Sequence, residues 1–338
     1  MTNPVKVSII VPLYNKTACV ERALASIAGQ TFRDYEAIVV DDGSTDDGPA
    51  KVARWRDGRF RLLRQANAGP GAARNRGVRE ARGELIAFLD ADDEWLPDFL
   101  TASLQAFEHH GPKVAAVTSG YFEWPAQISR EPMWRRRGLA PGIHRLTPST
   151  SPILVIYMLA YMCPWSTVVR ADVIRRLGGF FEQEHCLYGE DAYLFLKVLC
   201  NYAVAFNLAP LVRFHTECSQ LSRNLGRARP VDPFFRYPEQ IEASCPRELL
   251  GLLREVMAIR ALRTACMLGY WGQWRQARAL RTQFQTAHAW RFSAFFPAVV
   301  CSTPLGKWLG SGWRILGQIF SAKPGRDAAG VGRRSWQT

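Results

Sequence analysis

The stretch GELIAFLDADDEW at 83–95 decides the fold. Its run Glu84–Leu89 is apolar at consecutive positions after the first residue, as in a strand buried on both faces. It ends in Asp90-Ala91-Asp92-Asp93. The same design appears upstream. Val5–Pro12 reads as a strand, and Glu36–Val40 as a second that ends in Asp41, Asp42, Gly43 and Ser44. Phe60–Arg64 and Val114–Ser119 complete the set. Helix-length segments lie between them. Ala18–Gln30 carries Val20, Ala23, Leu24 and Ile27 at helical spacing, a helix capped by Ser44 or Thr45 runs through Ala53, and Gly71–Arg82 and Pro97–His110 follow. Strands joined by helical crossovers predict an α/β fold with a mostly parallel sheet flanked by helices. Ligands of such sheets bind beyond the carboxyl ends of the strands, which is where both acidic clusters fall.

Farther along, 121–152 is rich in Pro, Arg and Trp and reads as a long loop or an irregular crossing. Ile153–Met162 is expected as a buried helix, Ser166–Arg170 as a strand and Asp172–Leu177 as a helix stopped by Gly178-Gly179. Glu190–Asn201 is amphipathic, with Leu194, Val198 and Leu199 inward. Arg227–Pro238 reads as a basic linker, Glu248–Phe284 as basic helix, and 290–320 as a Trp- and Phe-rich segment before a polar tail. The expected division is therefore an α/β domain over 1–225 and a basic, Trp-rich helical region over 226–338.

The chain has 338 residues, is 48% apolar and carries a formal charge of +13, which favours anionic partners without choosing among them. None of the eight cysteines forms a C-x-x-C pair, so reduced and mostly buried thiols are expected. The N-terminus has no charged region followed by an apolar core. The longest apolar run, Ile153–Cys163, is too short to span a bilayer, so the expectation is a cytosolic enzyme.

Each acidic motif has a plain alternative. Asp90-Ala91-Asp92 suits a hard divalent cation beside a diphosphate, and equally a solvated acidic turn. Asp42 at a strand end can accept from a base or ribose, or belong to a turn with Gly43 at a special backbone angle. Glu190-Asp191 can supply a general base, or simply complement a helix dipole.

Order and spacing separate these readings. VSIIVPLYN at 7–15, VVDDGSTDD at 39–47, NAGPGAARNRG at 67–77, GELIAFLDADDEW at 83–95, GGF at 178–180 and GEDAYLFLK at 189–197 follow one another along roughly residues 5–223. As an ordered set they closely resemble the family-2 glycosyltransferases, inverting enzymes with the GT-A fold that build cell-surface polysaccharides. The resemblance implies a role for each position. Pro12 and Tyr14 would border the base pocket, Asp42 would bind the nucleobase, and Asn67, Gly69 and Arg74 would close over the nucleotide. Asp90 would lie near ribose and Asp92 would ligate Mn2+ or Mg2+. Gly178, Gly179 and Phe180 would face the acceptor. Asp191 would be the catalytic base, supported by Glu190, and Arg213 and His215 would approach the diphosphate. The implied donor is a nucleotide sugar, expected to be UDP-linked, and the acceptor a hydroxyl of a glycan or lipid-linked glycan.

Three rivals explain less. A nucleotidyltransferase would carry a Gly- and Arg-rich loop where this chain has PLYNK at 12–16. A basic nucleic-acid- or membrane-binding scaffold accounts for the charge and leaves the ordered carboxylates unexplained, so nucleic acid is not the expected partner. A catalytically silent relative would not need Asp42, Asp90, Asp92 and Asp191 together. For the C-terminal region two readings stay open: packing of Glu248–Phe284 on the α/β domain, and peripheral membrane contact through 286–320, where Trp290, Trp308 and Trp313 accompany basic residues.

Overall fold

The computed structural model describes residues 5–218, 229–286 and 294–304. One ten-stranded sheet organises them. Strands β1 (Val7–Leu13), β2 (Tyr35–Asp42), β3 (Phe60–Gln65) and β4 (Leu85–Phe88) are parallel neighbours in the order β3-β2-β1-β4. Helices α1 (Val20–Ala28), α2 (Gly48–Ala53) and α3 (Pro70–Glu80) make the crossovers, as the spacing predicts. Val7, Ile9, Ile10, Val11 and Leu13 of β1 are all fully buried, because layers cover both faces of the sheet. Beyond β4 the pairing becomes mixed: β9 (Thr167–Arg170) runs antiparallel to both β4 and β6 (Val114–Trp124).

Several expectations change here. The segment 121–152 is not one loop, since β6 continues to Trp124 and is followed by β7 (Ile128–Ser129), a helix Glu131–Arg136 and β8 (Gly142–His144). The longest strand, β10 (Ala203–His215), escaped the sequence reading. Its register against β6 shifts on either side of Pro210, which has no N–H for the ladder and interrupts the alternation that betrays a strand. Ser44 and Thr45 do not cap α2: Ser44 Oγ accepts the Asn15 N–H at 3.1 Å, Thr45 N–H donates to Asn15 Oδ1 at 2.8 Å, and Asp47 precedes the helix.

The stretch read as a basic linker is docked. Phe234 and Phe235, on a short helix Pro233–Arg236, are buried in the core shared with Ile10, Ile38 and Phe88. Burying such a side chain contributes roughly 1.5–3 kcal/mol, which fixes the segment. The helix Leu250–Tyr270 buries Leu253, Val256, Met257 and Leu262 in the same core, and Trp274–Gln283 packs against it after a break at Gly272. For Glu248–Phe284 the packed reading therefore holds. Most of 286–320, including Trp290, Trp308 and Trp313, lies outside the described residues, as do 219–228. Among the described residues no helix is long and apolar enough to cross a membrane, and all eight cysteines are free.

Candidate active site

Parallel register brings the acidic clusters to one edge. Asp42 pairs with Gln65 across β2 and β3, while Ile10 pairs with Phe88, so Asp90 emerges level with Pro12. Gly43 takes a positive φ of 75°, which turns the chain immediately after Asp42. Asp42 accepts hydrogen bonds from Gln65 Nε2 at 2.8 Å, Ala68 N–H at 2.9 Å and Gly69 N–H at 2.9 Å. It thereby shapes the loop that carries Asn67 and leads into α3.

From the opposite wall, helix α8 (Glu190–Asn201) points its N-terminus at the same edge. Gly71 permits the approach: a Cβ there would sit 2.4 Å from Phe181 O and 3.2 Å from the Glu190 side chain. One turn on, Arg74 bridges the walls, donating to Glu190 Oε1 at 2.8 Å and Asp90 Oδ1 at 2.7 Å, with its guanidinium carbon 5.3 Å from the centroid of the Phe180 ring. Lys16, which the sequence reading did not single out, donates to Asp92 Oδ2 at 2.6 Å and Cys218 O at 2.9 Å.

These walls enclose a cleft of about 530 Å³. Pro12, Tyr14, Asp42, Asn67, Gly69, Arg74, Asp90, Asp92, Glu190 and Asp191 all line it. Tyr14 is 46% exposed, leaving its ring free to stack on a ligand. Five of the expected residues do not line it. Gly178 ends a helix Ala171–Leu177 in a left-handed conformation, Gly179 packs on the Asn75 amide, and Phe180 is buried between Phe88 and Phe195. The GGF segment thus forms a buttress behind Arg74. Arg213 is paired with Glu94 at 2.7 Å, and the His215 ring faces Glu94 and Glu217. Strand alternation gives the cleft Phe214 instead of these two. Lys16, Asp93, Tyr188 and Arg229 line it unannounced. Of these, only Lys16 and Asp93 sat within motifs already under scrutiny.

The profile of "Glycosyl transferase family 2" matches residues 8–166. The Mycobacterium tuberculosis protein MT1568 is 31% identical over 244 residues, covering 68% of this chain and 74% of that one. The chain belongs to glycosyl transferase family 2. It spans about a fifth of the length of the Rickettsia glycosyltransferases it matches. Its fold is the GT-A fold of two solved structures. One is S. aureus TarS, residues 1–349 with UDP-GlcNAc, at TM-score 0.63 and 17% identity over 92% of each chain. The other is mannosyltransferase PcManGT from Pyrobaculum calidifontis with GDP-Man and Mn2+, at TM-score 0.54 and 21% identity over 94% of this chain and 88% of that one.

In this family-2 chain the matched region holds Asp42, Arg74 and the Asp90–Asp93 cluster, and ends before Glu190-Asp191. Asp90, Asp92 and Asp93 each offer a carboxylate oxygen within 4.8 Å of one another. Burial, then the Asp90 charge, holds Asp92 above the usual carboxylate range, and burial, then Asp92, holds Asp93 well above it. Lys16 and Arg74 already meet Asp92 and Asp90, and the remaining carboxylate oxygens, an all-oxygen ligand set, fit a divalent cation.

Burial, then the Asp191 charge, pushes Glu190 up to about 7, with Arg74 pulling the other way. Asp191 is likewise raised, chiefly by burial, with Arg74 and the Ala192 N–H opposing. A raised acid lowers stability as it ionises: between its usual value near 4.5 and about 7 the folded chain holds a proton that the unfolded chain has lost. Glu190 therefore withdraws stability as pH rises through that window. Glu190→Gln is expected to flatten the fall in melting temperature over the same range. Parallel melting curves of variant and wild type would refute the assignment.

Proposed function

We propose that the chain is an inverting glycosyltransferase that moves a sugar from a nucleoside-diphosphate donor, UDP-linked, to a hydroxyl of a glycan or lipid-linked glycan. The observation that carries this reading is the convergence of Asp42, Arg74, Asp90, Asp92 and Asp191, from separate elements, on one cleft large enough for a nucleotide sugar. In support, the S. aureus TarS complex holds UDP-GlcNAc on the same fold. Its GT-A relative from Pyrobaculum holds GDP-Man with Mn2+. A glycan on a lipid carrier would bring the segment 286–320 to a membrane face.

In this reading Tyr14 and Pro12 flank the base, and Asp42 keeps the 65–69 loop closed around it. Asp90, Asp92 and Asp93 would hold the Mn2+ or Mg2+ cation, which when bound offsets charge on the departing diphosphate. Asp191 takes the proton of the attacking hydroxyl, and burial, which raises its affinity for protons, makes it the stronger base. Glu190 and Arg74 fix the head of α8, so the base meets the hydroxyl in one orientation.

The test is a thermal-shift screen of nucleotide sugars with and without Mn2+. A UDP-sugar at about 100 times its Kd is expected to raise the melting temperature by roughly 5 °C with the cation present and far less without it. A shift with GDP-mannose alone would move the donor class, and no shift with any nucleotide sugar would sink the reading.

A further inference from the structure

The cleft has an excess of acid. Asp42, Asp90, Asp92, Asp93, Glu190 and Asp191 line it, while two of its cations are already engaged, Lys16 on Asp92 and Arg74 between Asp90 and Glu190. A donor's diphosphate adds further negative charge, which one divalent cation on Asp90, Asp92 and Asp93 would offset only in part, so a side-chain cation is still needed. Arg213 and His215, which the motif order assigns to that task, are spent on Glu94 and Glu217 and do not line the cleft.

Arg229 is different. It lines the cleft, is exposed, and among the described residues has no carboxylate within ion-pair distance. Its guanidinium carbon lies 6.0 Å from the centroid of the Tyr188 ring, another lining residue. The chain just beyond it is pinned. Asp232 accepts from Arg260 at 2.8 Å, Phe234 and Phe235 are buried, and Arg236 and Tyr237 both reach Glu184. Asp232 also presses on Gly189, where a Cβ would sit 2.5 Å from its Oδ1, immediately before the Glu190-Asp191 pair. Arg229 is thus delivered to the cleft three residues from a fixed point beside the head of α8.

We propose that Arg229 is the diphosphate-binding cation of the donor site, contributed by the C-terminal region to a cleft otherwise built from residues before 218. This rests on the nucleotide-sugar reading above. A guanidinium presents paired N–H donors that match phosphate oxygens, and among the described lysines and arginines lining the cleft Arg229 is the one with no carboxylate in ion-pair reach.

Calorimetric titration of the full chain with UDP and with uridine, in Mn2+, separates the possibilities for wild type, Arg229→Ala and Arg229→Lys. The Ala variant is expected to lose about tenfold in UDP affinity with uridine binding unchanged, and the Lys variant to recover part of the loss. Because Arg229 is exposed, melting temperatures should match. An Ala variant that binds UDP as wild type does, or that loses UDP and uridine equally, overturns the assignment and leaves the nucleotide-sugar reading standing. A wild-type chain that binds neither ligand overturns that reading, and this assignment with it.

Discussion

Replacing Asp191 by Asn is expected to lower turnover by about 10²–10⁴-fold, the range a positioned general base contributes, while leaving UDP affinity close to wild type. The separation follows from where the carboxylate sits. Asp191 is on the first turn of α8, lines the cleft, and accepts from the adjacent Ala192 N–H at 2.7 Å. It forms no ion pair among the described residues, so the isosteric amide leaves no charge stranded. What the amide loses is the capacity to take a proton. Single-turnover transfer, measured beside UDP binding, checks this. A variant that kept a third or more of its turnover would remove Asp191 from the base role.

Replacing Arg74 by Met has the largest expected effect on the fold, a loss of about 3–5 kcal/mol of unfolding free energy, because breaking a buried pair leaves its partners uncompensated. The Arg74 side chain is only 5% exposed and serves two carboxylates at once, Asp90 from the sheet edge and Glu190 from α8. Methionine fills similar space without charge. Glu190 then avoids part of the penalty by staying protonated, so the loss should grow as pH rises through neutrality. Arg74→Lys is expected to restore little, since one ammonium cannot reproduce a fork reaching both walls. Urea denaturation at two pH values measures both effects. A loss below about 1 kcal/mol, the worth of a surface pair, would show that the bridge is dispensable.

Local chemistry carried much of this architecture into the sequence. Buried strands at Val7–Leu13, Tyr35–Asp42 and Leu85–Phe88 are legible because a strand covered on both faces is largely apolar, and aspartates mark the carboxyl ends of the second and third. Parallel register then requires Asp42 and Asp90 to share an edge. The helix Glu190–Asn201 was legible to the residue, since its acidic first turn and inward Leu194, Val198 and Leu199 both follow helical geometry.

Partners distant in sequence were not legible, because no local period encodes them. Arg213 and His215 look like ligands of an anion until folding sets Glu94 and Glu217 against them. Gly178-Gly179-Phe180 resembles an acceptor-side loop, and nothing local foretells that its ring packs between Phe88 and Phe195. Arg229 sits in what reads as a linker, and acquires a place in the cleft only because Phe234 and Phe235 are drawn into the core beside it. The sequence by itself determined the parallel strands of the first third and which carboxylates lie at their ends, since both depend on residues close along the chain. Tertiary structure alone decided which cations those carboxylates keep and which one stays available, because that competition is settled by distance in space.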